Sequence, residues 1–294
     1  MVEFMKIQKG KIEKMMQQHL KFFTDKIYHK IKFYFSNKAS EATKISFDGK
    51  IRIYPTLRCN LQCPYCSNFL NEKYTKHVYH ELTKDDWLKI IEKVNRDVII
   101  TGGEPFLFPH LEELIQAIPS RLHVSIYTNM TLSPKKFIET VKRPVFFLGS
   151  YHPSHIPRQR VKDHVLQLAS CSNFSGVVHT VNNGYSAREQ AELLRDFSDI
   201  PWNFFLDQDQ RKASNEKVSQ KVEKSVLCRN RIILVGPDGF RYPCMRHMLE
   251  HSSQKENLLL EELSGETVET HCSHWGTCSY CDNLIEQVVE TEKS

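Results

Sequence analysis

The sequence predicts an α/β fold, a partial (β/α)6 TIM-type barrel with a small cysteine-rich C-terminal domain built from a β-hairpin and a helix. Short runs of β-branched and aromatic residues alternate with helical patterns between residues 51 and 206. These runs are continuously apolar rather than alternating, which is typical of a parallel sheet covered on both faces. Downstream, five of the nine cysteines fall between residues 228 and 281.

Six strand segments and five helical segments follow one another in this region. Thr83, Ser133 and Ser186 are predicted helix N-caps, with Pro134 in the first turn of the helix that Ser133 begins. About 160 residues are too few for an eight-unit barrel, which favours a six-unit open one. Strands are predicted at 51–55, 97–101, 122–128, 145–150, 176–181 and 202–206, and helices at 82–96, 110–118, 133–141, near 160–170 and from 186.

Composition and length set the domain organisation. The chain has 294 residues, 40% hydrophobic and 26% charged, with a net charge of +5, which is ordinary for a globular protein. It begins without a secretory signal and contains no run of eighteen apolar residues, so a cytoplasmic protein without a transmembrane segment is expected. The predicted domains are a basic amphipathic helical extension (1–46), the barrel (47–210), a linker helix (211–226) and the C-terminal domain (227–294).

The N-terminal extension is strongly basic, with nine lysines and three acidic residues in residues 1–40. Its apolar residues follow a helical spacing, and such a face can contact a membrane surface or a partner, or can pack on the domain that follows. Because residues 1–40 contain no arginine and no glycine-rich arm, nucleic-acid binding is not predicted.

Three cysteines directly follow the first predicted strand. Cys59, Cys63 and Cys66 have the spacing C-x3-C-x2-C, and they lie where barrel proteins build active sites. Three thiolates can hold three irons of a 4Fe-4S cube, which leaves the fourth iron open for a ligand. A zinc site completed by a distant histidine, or simply buried cysteines, are the alternatives.

The segment "CNLQCPYC" (59–66), together with "TGGEP" (101–105) after the second strand, resembles the radical S-adenosylmethionine (SAM) superfamily over roughly residues 48–206. The resemblance implies that the three cysteines bind a 4Fe-4S cluster and that the open iron binds SAM. It places Tyr65 beside the adenine and Asn129 near the ribose. Gly102 and Gly103 would let the backbone approach the methionine part of SAM, and Glu104 would orient this edge of the pocket.

A second candidate group follows the fourth strand. The segment "GSYHPSH" (149–155) places Tyr151, His152 and His155 on the same rim of the barrel. His152 is a candidate catalytic residue that could bind substrate or move protons, and a structural role is the alternative.

The remaining cysteines suggest a second metal centre. Cys228 and Cys244 flank a predicted hairpin around "PDG" (237–239), and three more cysteines follow in "HCSHWGTCSYC" (271–281). This layout resembles the auxiliary-cluster extensions called SPASM and twitch domains, which implies a second 4Fe-4S cluster; a structural zinc site is the alternative. The ligands expected from the resemblance are Cys228, Cys244, Cys278 and Cys281, with Cys272 as a competing ligand.

The resemblance implies an enzyme that cleaves SAM, abstracts a hydrogen atom from its substrate and oxidises the substrate radical through the auxiliary cluster. The expected substrate is a small polyol or sugar-like molecule, or a peptide, as in RiPP-type maturases. A reducing electron donor such as flavodoxin or ferredoxin is the expected partner. A non-catalytic zinc-binding module is the alternative of another class.

Overall fold

Strands and helices alternate along the chain from residue 51 to residue 207 in the computed structural model. The structure describes residues 49–63, 66, 80–181, 185–207, 224–265, 267–275 and 288–291. The chain divides into two units, 1–46 and 47–294, and the described residues all belong to the second. The predicted N-terminal extension therefore lies outside the described residues.

The first twelve elements build the barrel. They are β1 (Ile51–Thr56), α1 (Lys84–Val94), β2 (Val98–Gly102), a 3-10 turn (Pro105–Leu107), α2 (Leu111–Ala117), β3 (Val124–Thr128), α3 (Lys135–Thr140), β4 (Val145–Tyr151), α4 (Arg158–Ala169), β5 (Phe174–Val181), α5 (Ala187–Asp196) and β6 (Asn203–Asp207). Strands β1 to β6 are neighbours in chain order, and each adjacent pair is parallel. The predicted partial TIM-type barrel is thus confirmed.

The continuous apolar runs of the sequence are strands of a buried parallel sheet, as predicted. All six residues of β1 are buried, because β1 has a strand on each side and belongs to the hydrophobic core. Trp87, Ile90 and Ile91 of α1 are fully buried in the same core. Further along, an aromatic group fills the space between helices and sheet, with Phe137 and Phe147 at 5.4 Å in edge-to-face contact.

Two of the three predicted helix N-caps are present in the structure. Thr83 and Asp86 form a capping box at α1, and Ser186 and Glu189 form one at α5, as predicted. At α3, the N-cap is Pro134 rather than Ser133, although the Ser133 hydroxyl accepts from the N–H of Lys135 at 3.4 Å.

The C-terminal segment contributes β7 (Lys224–Asn230), β8 (Ile233–Val235), β9 (Arg241–Tyr242), α6 (Met245–Leu249), β10 (Val268–Trp275) and β11 (Val288–Thr291). Strand β8 pairs in parallel with β1, and β9 pairs antiparallel with β8, so the predicted hairpin extends the barrel sheet. Strand β7 lies between β10 and β11 in a separate antiparallel sheet.

Two predicted boundaries differ from this arrangement. Residues 224–226, expected in the linker helix, lie in strand β7. The expected domain border at residue 227 does not separate the sheets, because β8 pairs with Ile51, Arg52 and Ile53 of β1. The hydrogen-bonding edge of β1 is otherwise unpaired on that side, which explains why a downstream segment occupies it.

No helix within the described part of the chain combines the length and the apolar character needed to cross a membrane.

Candidate metal and cofactor site

The predicted site residues gather at the carboxyl edge of the parallel sheet. Because β1 to β4 run in parallel, the loops that follow them meet at one edge. This brings together the cysteine loop after β1, Gly103 and Glu104 after β2, Asn129 after β3 and His152 after β4.

The cysteine loop is partly buried. Cys63 is 4% exposed, and Cys59 and Cys66 are half-buried. The backbone N–H of Leu61 donates to Cys59 Sγ at 3.4 Å, and Cys66 N–H donates to the Cys63 carbonyl at 2.9 Å. These hydrogen bonds help to fix the conformation of the loop around the three cysteines.

The three thiols are close enough to interact electrostatically. Burial raises the pKa of Cys59 above its ordinary value, the Leu61 hydrogen bond opposes this, and the charges of Glu104, Cys66 and Cys63 raise the pKa further. A thiol with a raised pKa stays protonated at neutral pH unless a metal displaces the proton. Three cysteine sulfurs on one short loop match the number of thiolates that bind a 4Fe-4S cluster with one iron left open.

Arg58 holds the base of the loop. Its guanidinium makes two hydrogen bonds to Glu81, from Nε to Oε1 at 3.1 Å and from Nη2 to Oε2 at 3.0 Å. Nη2 also donates to the Leu107 carbonyl at 2.9 Å, and Nε donates to Thr56 Oγ1 at 3.2 Å. The residue before Cys59 is therefore tied to the end of β1, to the chain at residue 81 and to the turn after β2.

Gly102, the last residue of β2, and Gly103, which follows it, have a steric role that the sequence did not reveal. A Cβ at Gly102 would lie 2.1 Å from the Thr56 carbonyl oxygen, and one at Gly103 would lie 2.1 Å from the Arg58 carbonyl oxygen. The N–H groups of Gly103 and Glu104 donate to these carbonyls, of Thr56 at 3.1 Å and of Arg58 at 2.8 Å. The glycines thus allow the start of the cysteine loop to hydrogen-bond the end of β2, and their contact with SAM stays a prediction.

Glu104 is fully buried, with 0% exposure. Its Oε1 accepts from Thr128 Oγ1 at 2.8 Å and from Phe106 N at 3.2 Å, and its Oε2 accepts from Asn129 N at 2.8 Å. Burial raises its pKa to about 7, although these three hydrogen bonds act in the opposite direction. The carboxyl group joins the ends of β2 and β3, which agrees with a role in orienting this edge of the site.

Asn129 contacts the cysteine loop directly. Its Nδ2 donates to Asn60 Oδ1 at 3.0 Å and lies 3.7 Å from Cys59 Sγ. Its Oδ1 accepts from the N–H and the hydroxyl of Thr131, and Thr131 Oγ1 accepts from Asn60 Nδ2 at 2.7 Å. Asn60 and Thr131 were not singled out from the sequence. Asn60 directly follows Cys59, and Thr131 lies two positions after Asn129, so each is a near neighbour of a predicted site residue.

His152 also faces the cysteine loop. Its Nδ1 lies 3.6 Å from Cys63 Sγ, and its Nε2 lies 2.9 Å from Ser150 Oγ. Burial lowers its pKa to about 4, with further lowering by the charges of His179 and His155, so the ring is neutral at neutral pH. Its predicted role in catalysis stays untested, and the contact with Cys63 is a feature that the sequence did not indicate.

Tyr151 does not lie on the rim, contrary to the expectation from its loop. Its side chain is 2% exposed and packs on Phe197 with ring centroids 5.2 Å apart. Because side chains alternate along a strand, Tyr151 faces the core and its neighbour His152 faces the opposite side. His155 is exposed.

The described part of the second cysteine set is spread over three elements. Cys228 lies on β7, Cys272 on β10 and Cys244 at the N-cap of α6. Cys228 is paired with Thr270, so Cys272, two residues further, lies on the same face of this sheet. Asn230 Nδ2 donates to the Pro243 carbonyl at 2.9 Å, which holds the Cys244 segment near the end of β7.

Tyr65, Cys278 and Cys281 lie outside the described residues. Within the described ranges, no group of three or more His, Cys, Asp or Glu side chains is arranged to hold a single metal ion.

The cysteine loop lies at the carboxyl end of the first barrel strand, where barrel proteins build their active sites, and cysteine thiolates are the usual ligands of iron-sulfur clusters. Residues 53–167 match the family model described as "Radical SAM superfamily". The matched region is less than half of the 294-residue chain, so the radical SAM superfamily is what this part of the chain, from β1 to α4, is similar to.

Curated relatives match less than a third of the chain. The chain is 36% identical over 92 residues to 7-carboxy-7-deazaguanine synthase of Clostridium acetobutylicum, which covers 30% of this chain and 41% of that protein. It is 32% identical over 93 residues to PqqA peptide cyclase of Granulibacter bethesdensis, which covers 30% of this chain and 24% of that protein. The match thus spans less than half the length of either relative.

The fold has a counterpart among solved structures. Streptococcus suis SuiB, bound to its precursor peptide SuiA, superposes with a TM-score of 0.54 at 15% identity, covering 77% of this chain and 66% of SuiB. This similarity supports the barrel architecture.

Proposed function

We propose that this chain is a radical SAM enzyme that modifies a peptide through hydrogen-atom abstraction. The observation that carries the proposal is the position of the cysteine loop at the carboxyl edge of the barrel. Glu104 N after β2 donates to the Arg58 carbonyl, Asn129 after β3 lies beside Cys59, and His152 after β4 lies beside Cys63. A 4Fe-4S cluster held by these three cysteines would supply the electron that splits SAM into methionine and a 5'-deoxyadenosyl radical, and this radical would take a hydrogen atom from the substrate.

The residues of the chain have separate tasks in this proposal. Cys59, Cys63 and Cys66 hold the cluster, and Arg58 with Glu81 holds their loop in place. Glu104 fixes the end of β3 through Asn129 N, so the backbone edge that would contact SAM is preorganised. Tyr65 and Gly102 are proposed to contact SAM on the strength of the motif positions that they occupy.

A peptide substrate is supported by the match to PqqA peptide cyclase, whose name states that it acts on a peptide. A small molecule is the second candidate, because 7-carboxy-7-deazaguanine synthase matches over a region of similar length. A polyol or sugar-like substrate belongs to this second candidate.

We further propose that Cys228, Cys244, Cys278 and Cys281 bind an auxiliary 4Fe-4S cluster, with Cys272 as the competing ligand. The position of Cys228 and Cys272 on one sheet face, and the attachment of the Cys244 segment to β7, support ligands from these elements. The cluster would supply an acceptor for the electron that the substrate radical loses. A flavodoxin or ferredoxin in the cytoplasm is the proposed electron donor.

Iron, sulfide and zinc analysis of the protein purified without oxygen tests the first proposal. We expect iron and sulfide, and 5'-deoxyadenosine upon reduction with SAM. Cys59→Ala should abolish 5'-deoxyadenosine formation, since one cluster ligand is lost. Zinc without iron would instead identify a non-catalytic zinc-binding module.

The auxiliary cluster has its own test. Cys244→Ala should keep SAM cleavage but prevent product formation from a peptide substrate, with a lower iron content than the unmodified protein. Full turnover of Cys244→Ala would overturn the proposed electron-acceptor role.

A further inference from the structure

Two side chains from neighbouring strand ends lie against the sulfurs of the cysteine loop. Asn129, after β3, places Nδ2 3.7 Å from Cys59 Sγ. His152, after β4, places Nδ1 3.6 Å from Cys63 Sγ. Both distances are within the range of hydrogen bonds to sulfur, and the residues come from separate loops.

The orientation of the Asn129 amide is determined by its neighbours. The Thr131 backbone N–H can only donate, and it lies 3.0 Å from Asn129 Oδ1. The amide oxygen must therefore face Thr131, which turns the NH2 group toward Asn60 Oδ1 and Cys59 Sγ. Because Asn129 is only 6% exposed, rotation of the amide would leave a buried donor facing a donor.

The tautomer of His152 follows from a similar argument. A cysteine sulfur bound to iron carries no hydrogen, so it can only accept a hydrogen bond. A proton on Nδ1 satisfies this sulfur, and Nε2 then accepts from the Ser150 hydroxyl at 2.9 Å. The alternative acceptor for that hydroxyl, the Thr128 carbonyl, lies further away at 3.3 Å.

We propose, on the basis of the function proposed above, that Asn129 and His152 are positioning residues that donate N–H···S hydrogen bonds to Cys59 and Cys63 and thereby raise the reduction potential of the cluster. Donation to a thiolate ligand stabilises the more negative, reduced form of an iron-sulfur cluster. Asn129 then acts on the metal ligand rather than on the ribose, and His152 acts on the metal ligand rather than on a substrate proton.

The test is a potentiometric titration of the cluster, monitored by electron paramagnetic resonance. The cluster to be measured is the one whose signal changes when SAM is added. His152→Phe and Asn129→Leu keep side-chain volume but remove the donors. Each should lower the equilibrium constant for reduction about tenfold, which corresponds to about 59 mV toward more negative potential for a one-electron couple. His155→Phe, an exposed histidine of the same loop, is the matched control and should not shift the potential.

The outcomes separate this inference from the proposed function. If the unmodified protein shows no cluster signal that SAM perturbs, the proposed function fails. If that signal is present and the potentials of His152→Phe and Asn129→Leu equal that of the unmodified protein, only the hydrogen-bond role is overturned. If His152→Phe does not bind iron, Ser150→Ala is measured instead: a smaller shift in the same direction supports the role, and an unchanged potential overturns it.

Discussion

At the scale of single residues, Glu104 shows how one buried group can connect the motif positions of the site. Its carboxyl group accepts three hydrogen bonds from β3 and the turn after β2, and its own backbone N–H donates to the Arg58 carbonyl. The glutamate thus links three strand ends without any exposure to solvent.

The ionisation of Glu104 should make stability depend on pH. Its pKa is raised from 4.5 to about 7 in the folded protein, so the stability present below pH 4.5 is lost as the pH rises through about 7. The loss should be roughly 3 kcal/mol. Urea unfolding of the reduced, metal-free protein at pH 4.5 and pH 8 measures it, as the difference between the unmodified protein and Glu104→Gln, which does not titrate.

The same variant should be destabilised by about 1–3 kcal/mol at low pH. Glutamine has one oxygen, and whichever way its amide is turned, an NH2 group faces the N–H of Phe106 or of Asn129. Glu92→Gln, at an exposed position, is the control. A difference between Glu104→Gln and the unmodified protein that stays constant with pH would contradict the raised pKa.

Gly103→Ala should disrupt the cysteine loop because its Cβ would lie 2.1 Å from the Arg58 carbonyl oxygen and 2.4 Å from the Leu57 carbonyl oxygen. We expect a loss of several-fold or more in iron bound after reconstitution, together with a lower unfolding midpoint. Gly49→Ala is the comparison, since its Cβ would meet nothing within 4 Å and only its φ of 69° is unfavourable. Equal iron content in the two variants would rule out the steric role.

At the scale of elements, helix α1 shows local sequence and tertiary packing in agreement. The Thr83–Asp86 capping box begins the helix, and Trp87, Ile90, Ile91 and Val94 form its buried face. These positions follow helical spacing, which is why the helix could be predicted. At α3 the prediction of the cap was wrong, because the helix begins one residue later than a Ser133 cap would require.

Removal of the N-cap of α1 should lower the free energy of unfolding. Thr83→Ala should lower the free energy of unfolding by about 1 kcal/mol, because the N–H of Asp86 loses its acceptor. Thr83→Ser keeps the hydroxyl and should stay close to the unmodified protein. Urea unfolding at constant pH measures both, and an unaffected Thr83→Ala would show that the capping box contributes nothing to stability.

At the scale of the whole molecule, strands β8 and β9 of the C-terminal segment are part of the barrel sheet. Ile51 and Ile53 of β1 are both fully buried, with β2 on one side and β8 on the other. The cysteine loop begins three residues after β1 ends, so the pairing of β8 stabilises the strand that carries the site.

A shortened chain that ends at residue 223 lacks β8. We therefore expect the cysteine site at the end of β1 to lose its ordered structure. Without β8, the edge of β1 is exposed, and hydrogen exchange measured by mass spectrometry should be faster in residues 51–56. A chain that ends at residue 265 keeps β8 and β9 and should retain protection there. Equal protection of β1 in the two shortened chains would support an independent barrel of residues 47–210.

The sequence by itself determined the alternating elements, the parallel sheet and the place of the cysteine loop. Apolar continuity, capping residues and cysteine spacing are local signals, and a parallel sheet brings the ends of successive strands together without further information. For this reason the loops that carry Cys59, Glu104 and Asn129 can be assigned to one edge from the sequence, whereas the roles expected for Glu104 and Asn129 came from the resemblance to a known family.

The tertiary structure alone decided which side chains touch within that edge. The 3.6 Å contact of His152 with Cys63, the Asn60–Asn129–Thr131 network and the burial of Tyr151 depend on distances between loops that are far apart in sequence. The pairing of β8 with β1 likewise joins residues about 180 positions apart, and backbone hydrogen bonds leave no residue pattern that identifies a partner strand at such separation.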